Sequence, residues 1–222
     1  MSQPSLEQIA AQLNSPNLKD RVLAMIELQQ ETMSAQDAYP LITQALADET
    51  IQIRGMAAFS LGMKRTPANL SVLVNLLASD PDYNVRAIAA GALGYLEDKQ
   101  ALESLRHAFY EDTHWLVQFS AAVALGNLKD IQAQTVLLEA LDSQNGLLQE
   151  AAIMALGEIG AVDAIDRLLN FANAGDWLLR KRLAEALGNL PGIKSQSALQ
   201  FLQKDSHPQV AESARLSLER FA

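Results

Sequence analysis

The chain of 222 residues is 49% hydrophobic but only 5% aromatic, and it has no cysteine, so disulfides, thiolate catalysis and zinc–thiolate sites are excluded. A formal net charge of −9 argues against binding to a nucleic-acid backbone, which requires clustered Lys and Arg. The N-terminal segment has no basic start followed by an apolar run, and nowhere do about 18 apolar residues follow one another, so we expect a cytoplasmic protein without a signal peptide or a membrane span.

The first predicted helix lies at the N-terminus, where Leu6, Ile9, Ala10 and Leu13 follow the helical period. Six later segments carry a stripe of the same kind, around residues 41–46, 70–77, 102–109, 136–141, 165–172 and 199–202. A second predicted helix follows each of these seven segments. Five of the second helices are close copies, such as VRAIAAGALG, and they end at Gly62, Gly94, Gly126, Gly157 and Gly188. Two degenerate copies end at Gln29 and Glu219.

The copies recur at intervals of 31 to 33 residues, so one helical pair is repeated along the whole chain. We predict a single all-α domain, a right-handed α-solenoid of about seven repeats and fourteen helices. The predicted repeats lie at about residues 1–35, 36–65, 66–97, 98–129, 130–160, 161–191 and 192–222. Degenerate first and last copies are expected, because a terminal repeat has one face without a neighbour.

Three residue types recur between the predicted helices. Aspartates precede the second helices, where a carboxylate accepts hydrogen bonds from free N–H groups, at Asp48, Asp80, Asp112, Asp142, Asp176 and Asp205. The glycines of the Gly62 series are predicted to end these helices as left-handed caps. Arginines share one repeat position, at Arg21, Arg54, Arg86 and Arg180. We predict that each arginine bridges to the turn aspartate of an adjacent repeat, and that the joints with Gln118, Gln149 and Ala211 at this position are weaker.

The segment Asp80-Pro81-Asp82-Tyr83-Asn84-Val85-Arg86, which runs on to Ala92-Leu93-Gly94, resembles the HEAT-like repeat of the phycobilisome lyase type. The likeness extends over nearly the whole chain and is specific for fold more than for function. In length and in its successive copies the chain looks most like the cyanobacterial phycobilisome-degradation proteins of the non-bleaching B type, a group similar to subunits of heterodimeric bilin lyases. The resemblance implies binding of phycobiliproteins, such as phycocyanin or allophycocyanin subunits, and of their linear tetrapyrroles. Phycocyanobilin is the implied ligand, with no permanently bound cofactor.

The second helices of such solenoids line the concave side, so their non-core positions form the predicted binding face. Many of these positions are apolar, although a solvated helix face should be polar: Phe59, Ala87, Ala90, Tyr95, Phe119, Val123, Ile153 and Met154. An exposed apolar strip marks an interaction site, which could receive a partner helix or a flat conjugated ligand. Alternatively, curvature buries these side chains between adjacent second helices. On the binding interpretation, Phe119→Glu should abolish binding without loss of helical structure.

Two further groups of side chains are candidates for the site. Tyr83, Trp115 and Trp177 stand at the start of three second helices, where they either cover the turn or form a rim of binding anchors. The second group is the arginines Arg54, Arg86 and Arg180, which could pair with the propionates of a bilin or with the acids of a partner.

Three functions stay open at this point. The leading hypothesis is that the protein engages phycobiliproteins and takes part in bilin detachment, by a thioether lyase reaction if it is an enzyme. The alternatives are a non-catalytic interaction scaffold and one subunit of a heterodimeric bilin lyase. Asp112 and His114 flank Thr113 and His107 lies one helix earlier, but a metal site needs three converging ligands and no third candidate is spaced to reach these two, so we predict no metal site. The sequence also permits homo-oligomers through the unsealed end repeats.

Overall fold

The computed structural model describes residues 4–221, and in this part of the chain there are fourteen α-helices and no β-strand. The odd-numbered helices are α1 (Leu6–Leu13), α3 (Ala35–Ala45), α5 (Asn69–Ser79), α7 (Leu102–Glu111), α9 (Gln134–Ala140), α11 (Ile165–Leu168) and α13 (Ile193–Leu202). The even-numbered helices are α2 (Leu18–Gln29), α4 (Ile51–Met63), α6 (Tyr83–Leu96), α8 (Trp115–Asn127), α10 (Gly146–Glu158), α12 (Trp177–Leu187) and α14 (Pro208–Leu218). Short 3₁₀ turns lead into α7, α9 and α11. The prediction of an all-α solenoid with fourteen helices is confirmed.

Polar side chains define where the helices begin. Ser5 and Gln8 form a capping box on α1, in which each side chain accepts a hydrogen bond from the backbone N–H of the other residue. Asp82 caps α6 by accepting the N–H of Asn84 at 2.8 Å. Asp80, one of the aspartates predicted to accept a hydrogen bond from the start of the helix, instead accepts the N–H of the capping residue Asp82 at 2.9 Å. It therefore orients the cap and does not bond to the helix directly. Asp112 and Asp205 accept the N–H two residues ahead in the same way.

The helices form two layers. Each inner even-numbered helix packs against the even-numbered helices before and after it. The even-numbered helices also pack against the odd-numbered helix of their own repeat, except that α12 packs mainly against the 3₁₀ turn Leu169–Asn173 that follows α11. Alanine and leucine dominate the buried surface, and small alanines such as Ala92 and Ala124 let the even-numbered helices approach closely. None of the helices in residues 4–221 has both the length and the apolar character needed to cross a membrane.

The recurring glycines are contact points between helices, and their predicted role as left-handed caps was wrong. A Cβ added to Gly94 would lie 2.9 Å from Cα of Ala124 in the next even-numbered helix, and Gly126 stands in the same relation to Ala155. The whole series, Gly62, Gly94, Gly126, Gly157 and Gly188, meets the next even-numbered helix within 3.0 Å in this way. Left-handed backbone occurs instead at other positions, including Glu97 and Gly160. The helices need glycine here because two backbones meet, so the absence of a side chain is what matters.

The predicted arginine bridges are confirmed at four positions. Arg86 donates two hydrogen bonds to the carboxylate of Asp112, at 2.7 and 3.0 Å, and a third to the carbonyl oxygen of Asp80. The same pairs join Arg21 to Asp48, Arg54 to Asp80 and Arg180 to Asp205. Gln118 and Gln149 keep only a bond to a backbone carbonyl in their own repeat. The joints between α8, α10 and α12 therefore lack this buried arginine–aspartate pair, and the turn aspartate Asp142 is instead paired with Arg167 of α11 at 2.7 Å, between two exposed side chains.

Candidate binding face of the even-numbered helices

One stripe of side chains on each even-numbered helix points away from both helix layers. The stripe has helical spacing i, i+4, i+7 and i+11, and in α6 it consists of Asn84, Ile88, Gly91 and Tyr95. We call these four positions the face stripe of a helix. The face stripes of neighbouring helices lie side by side, because the even-numbered helices pack in order. The equivalent residues are Gln52, Met56, Phe59 and Met63 in α4, Leu116, Ser120, Val123 and Asn127 in α8, Leu147, Ala151, Met154 and Glu158 in α10, and Leu178, Arg182 and Glu185 in α12, with Asn189 just after it.

The predicted apolar strip is only partly exposed. Phe59, Tyr95 and Val123 are exposed, and Phe119 and Met154 are half-buried. Ala87, Ala90 and Ile153 are buried, so for these three the packing alternative is correct. They lie on the side of each helix that meets its neighbours, where the close approach of backbones leaves no solvent-facing surface.

Ile88 shows the opposite case: its helical spacing to Val85, Ala89 and Ala92 predicts a core position, but it is 36% exposed. It lies one turn before Gly91 and beside Gly55, and a Cβ added to Gly55 would come within 2.9 Å of Cδ1 of Ile88. The face stripe is therefore rotated relative to the predicted strip, and it includes Ile88 in place of Ala87 and Ala90.

The face stripes of α4, α6 and α8 contain no charged residue, and we call them the neutral half of the face. A depression of about 680 Å³ lies between α4 and α6, with Ile51, Met56, Phe59 and Ile88 in its lining. The amides of Gln29, Gln52 and Asn84 border it. Tyr95 extends this surface, because its ring packs edge to face against Phe59 with centroids 6.3 Å apart.

The face stripes of α10 and α12 carry charges. A groove of about 320 Å³ runs between α8 and α10, lined by Phe119, Val123 and Met154 on its apolar side. Glu150 also lines the groove, and its Oε2 lies 3.6 Å from Nε of Arg182 in α12. Burial raises the pKa of Glu150, and the charge of Arg182 opposes this rise. This half of the face therefore combines an apolar groove with paired charges.

The structure places the predicted arginines away from the face. Arg54, Arg86 and Arg180 lie at the joints, where their guanidinium groups are largely buried and each binds a carboxylate through two nitrogens. A ligand acid could reach them only by displacing these aspartates, so we do not retain them as ligand anchors.

An arginine that sequence reasoning missed lies closer to the face. The side chain of Arg65 is 61% exposed, and Nη2 donates to the carbonyl oxygen of Tyr95 at 2.7 Å. Its ion pair with Glu97 spans 3.6 Å between two exposed groups, which is a weak interaction. Arg65 follows α4 in a turn, outside any helical stripe, and no periodic signal marked it.

The aromatic residues at the helix starts mainly cover turns. Tyr83 stacks on His114 of the next repeat with ring centroids 3.5 Å apart, and Trp177 stacks on His207 at 4.1 Å. The structure thus favours the turn-covering alternative for Tyr83 and Trp177. Trp115 is 45% exposed. The partners of Tyr83 and Trp177 are histidines at the N-cap position of the next even-numbered helix, whereas the residue at this position of the helix after Trp115 is Asn145. Within residues 4–221, no three His, Asp or Glu side chains converge where a metal ion could bind.

Comparisons with known proteins support the fold. A family profile described as HEAT repeats matches residues 4–90, 70–156 and 135–219. The chain is similar to a structure of the complex of CpcE and CpcF of phycocyanin lyase from Nostoc sp. PCC7120, with 24% identity and a TM-score of 0.67 over 83% of this chain and 76% of that one. It is also similar to a Kap121p mutant, with 15% identity and a TM-score of 0.72 over 97% of this chain and 28% of that one. A structure of Kap95p binding to RanGDP gives 16% identity and a TM-score of 0.63 over 99% and 36%. No curated protein matches in sequence.

Proposed function

The chain belongs to the HEAT repeat family, and from this premise we propose that it binds phycobiliproteins and their linear tetrapyrroles on the face of its even-numbered helices and takes part in bilin detachment during phycobilisome degradation. The observation that carries the proposal is the neutral half of the face. In a chain with a net charge of −9, three adjacent helices present exposed apolar side chains and no charge. A solvated helix face is normally charged or polar, so a contiguous apolar surface of this kind indicates a binding partner.

The chemistry of the surface fits a chromophore-bearing protein. Phe59 and Tyr95 offer aromatic edges and faces to a flat conjugated molecule, and the amides of Gln52 and Asn84 can both donate and accept hydrogen bonds. Arg65, at the edge of the neutral half, is free to exchange its weak contact with Glu97 for a propionate. The similarity to the CpcE and CpcF complex supports this choice of partner.

Detachment of a bilin would be an elimination. The bond between the cysteine Sγ of the phycobiliprotein and the bilin carbon breaks, the bilin loses a proton from the neighbouring carbon, and the sulfur regains one. This change needs no oxidant and no reductant. The part proposed for this protein is to hold and distort the bilin.

One experiment separates this proposal from its two alternatives. The purified protein is mixed with chromophore-bearing phycocyanin, and bilin absorbance and complex formation on gel filtration are measured together. Binding with altered absorbance or released bilin supports the proposal. Binding without any spectral change favours a non-catalytic scaffold. A spectral change only after a second subunit is added favours a heterodimeric lyase, as in the CpcE and CpcF complex. Absence of binding to phycocyanin, with and without the second subunit, contradicts the proposal and leaves only a scaffold for other partners.

A further inference from the structure

Gly91 differs from the glycines of the Gly62 series, because packing does not require it. A Cβ added to Gly91 would meet no atom within 4 Å, whereas one added to Gly94, a single turn away, would collide with α8. Glycine in the middle of a helix is less stable than alanine. The fold therefore gains nothing from the missing side chain at Gly91, and a bare patch of helix backbone is left on the surface.

Exposed apolar side chains surround this bare patch. Ile88 and Tyr95 lie before and after Gly91 on the same face stripe, with 36% and 49% of their surfaces exposed. Phe59 holds the equivalent position in α4 and contacts the ring of Tyr95. Val123 holds the equivalent position in α8. Gly91 is thus a gap in a row of larger side chains, with apolar walls on every side.

The charge around the gap restricts what can occupy it. None of the face-stripe residues on α4, α6 and α8 is charged. A cationic or anionic side chain inserted here would lose its hydration without finding a charge partner, which is unfavourable. An uncharged, flat ring could lie against the backbone at Gly91 and pack its edges against Phe59 and Tyr95.

We propose that Gly91, with Phe59, Ile88, Tyr95 and Val123, forms a seat for one uncharged pyrrole-type ring of a linear tetrapyrrole, and that the missing side chain at Gly91 lets this ring lie directly on the backbone of α6. This inference rests on the proposed function and specifies where the chromophore contacts the protein. A side chain from a partner helix could fill the gap without touching the backbone of α6. The bare backbone, together with the neutral lining, therefore favours a flat ring over a partner helix.

The test compares Gly91→Leu with the wild type, using biliverdin as a free linear tetrapyrrole and chromophore-bearing phycocyanin as a second probe. Leucine is a better helix former than glycine, so the variant should unfold at a urea concentration no lower than the wild type. The affinity for biliverdin, measured from the absorbance change on titration, should fall by more than about tenfold because the leucine side chain fills the seat. Gly91→Ala, with a smaller side chain, should lower the affinity by roughly threefold.

The matched control is Gly146→Leu. Gly146 is also in a helix, a Cβ added there would also meet no atom within 4 Å, and it lies at the start of α10 rather than beside the seat. Equal biliverdin affinity in Gly91→Leu and the wild type would overturn the seat. Failure of the wild type to bind biliverdin while it binds phycocyanin would also overturn it, yet would leave phycobiliprotein binding standing. Failure to bind either probe would count against the proposed function itself.

Discussion

The glycine contacts between even-numbered helices give a quantitative prediction, in which two glycines one turn apart respond to alanine with opposite signs. In Gly94→Ala the new Cβ would lie 2.9 Å from Cα of Ala124, 3.0 Å from its Cβ and 3.1 Å from Nδ2 of Asn127. Normal carbon contacts are about 3.5–4.0 Å, so α6 and α8 would have to separate by about 0.5–1 Å. Overpacking of this kind costs about 1–3 kcal/mol, and the higher helix propensity of alanine offsets up to about 1 kcal/mol.

Gly91→Ala receives the same propensity gain without the collision, so it should stabilise the protein by about 0.5–1 kcal/mol. The two variants should therefore differ by about 2 kcal/mol in the free energy of unfolding. Urea unfolding followed by far-UV circular dichroism measures the difference, and the two proteins share the helix, the residue change and the assay. The argument about backbone contact is refuted if Gly94→Ala unfolds at the same or a higher urea concentration than Gly91→Ala.

Three further predictions concern the joints. Arg86→Leu should lower the free energy of unfolding by about 1–3 kcal/mol, because it leaves the carboxylate of Asp112 buried without its partner. The control Arg106→Leu should change the free energy of unfolding by less than about 0.5 kcal/mol, because the ion pair of Arg106 is exposed. Similar losses in both variants would contradict this prediction. The hydrogen bond from Arg180 lowers the pKa of Asp205 against the effect of burial, so the stability it provides is complete above about pH 4 and is lost as the pH falls through the lower folded pKa. Urea series between about pH 5 and pH 2 should show a steeper loss in the wild type than in Arg180→Leu, and parallel curves would speak against the linkage. Amide hydrogen exchange should be faster in α10 than in α6, since both joints of α10 lack the buried arginine–aspartate pair that ties α6 on both sides. Equal protection in the two helices would disprove this.

The sequence predicts the helices and their pairing well because the repeat averages out local ambiguity. A helical stripe that returns every 31 to 33 residues cannot arise from strands or loops. The arginine bridges are also predictable, because the position of Arg86 relative to Asp112 recurs in other repeats.

The rotation of the binding face was not predictable in the same way. An even-numbered helix buries one side against its odd-numbered partner and two more against its even-numbered neighbours, so most of its circumference is apolar. On such a helix the period alone does not separate Ile88, which faces solvent, from Ala90, which faces α4 or α8. The role of the recurring glycines was predicted wrongly for a related reason. A glycine near the end of a helix can be either a left-handed cap or a backbone contact, and only the position of Ala124 beside Gly94 decides between them.

The most direct test of the central claim is the affinity for chromophore-bearing phycocyanin of Phe59→Glu compared with Ile193→Glu. Phe59 is better suited than Phe119, which is half-buried against the core, so that a charge at Phe119 would also disturb the fold. Both substitutions replace an exposed apolar residue with the same charge, but Phe59 lies in the neutral half of the face and Ile193, which is 83% exposed, lies on α13 in the other layer. Phe59→Glu should weaken binding by about 2 kcal/mol or more, roughly thirtyfold, while Ile193→Glu binds like the wild type. Unchanged affinity in Phe59→Glu, or an equal loss in both, would contradict the claim that the face of the even-numbered helices is the binding surface.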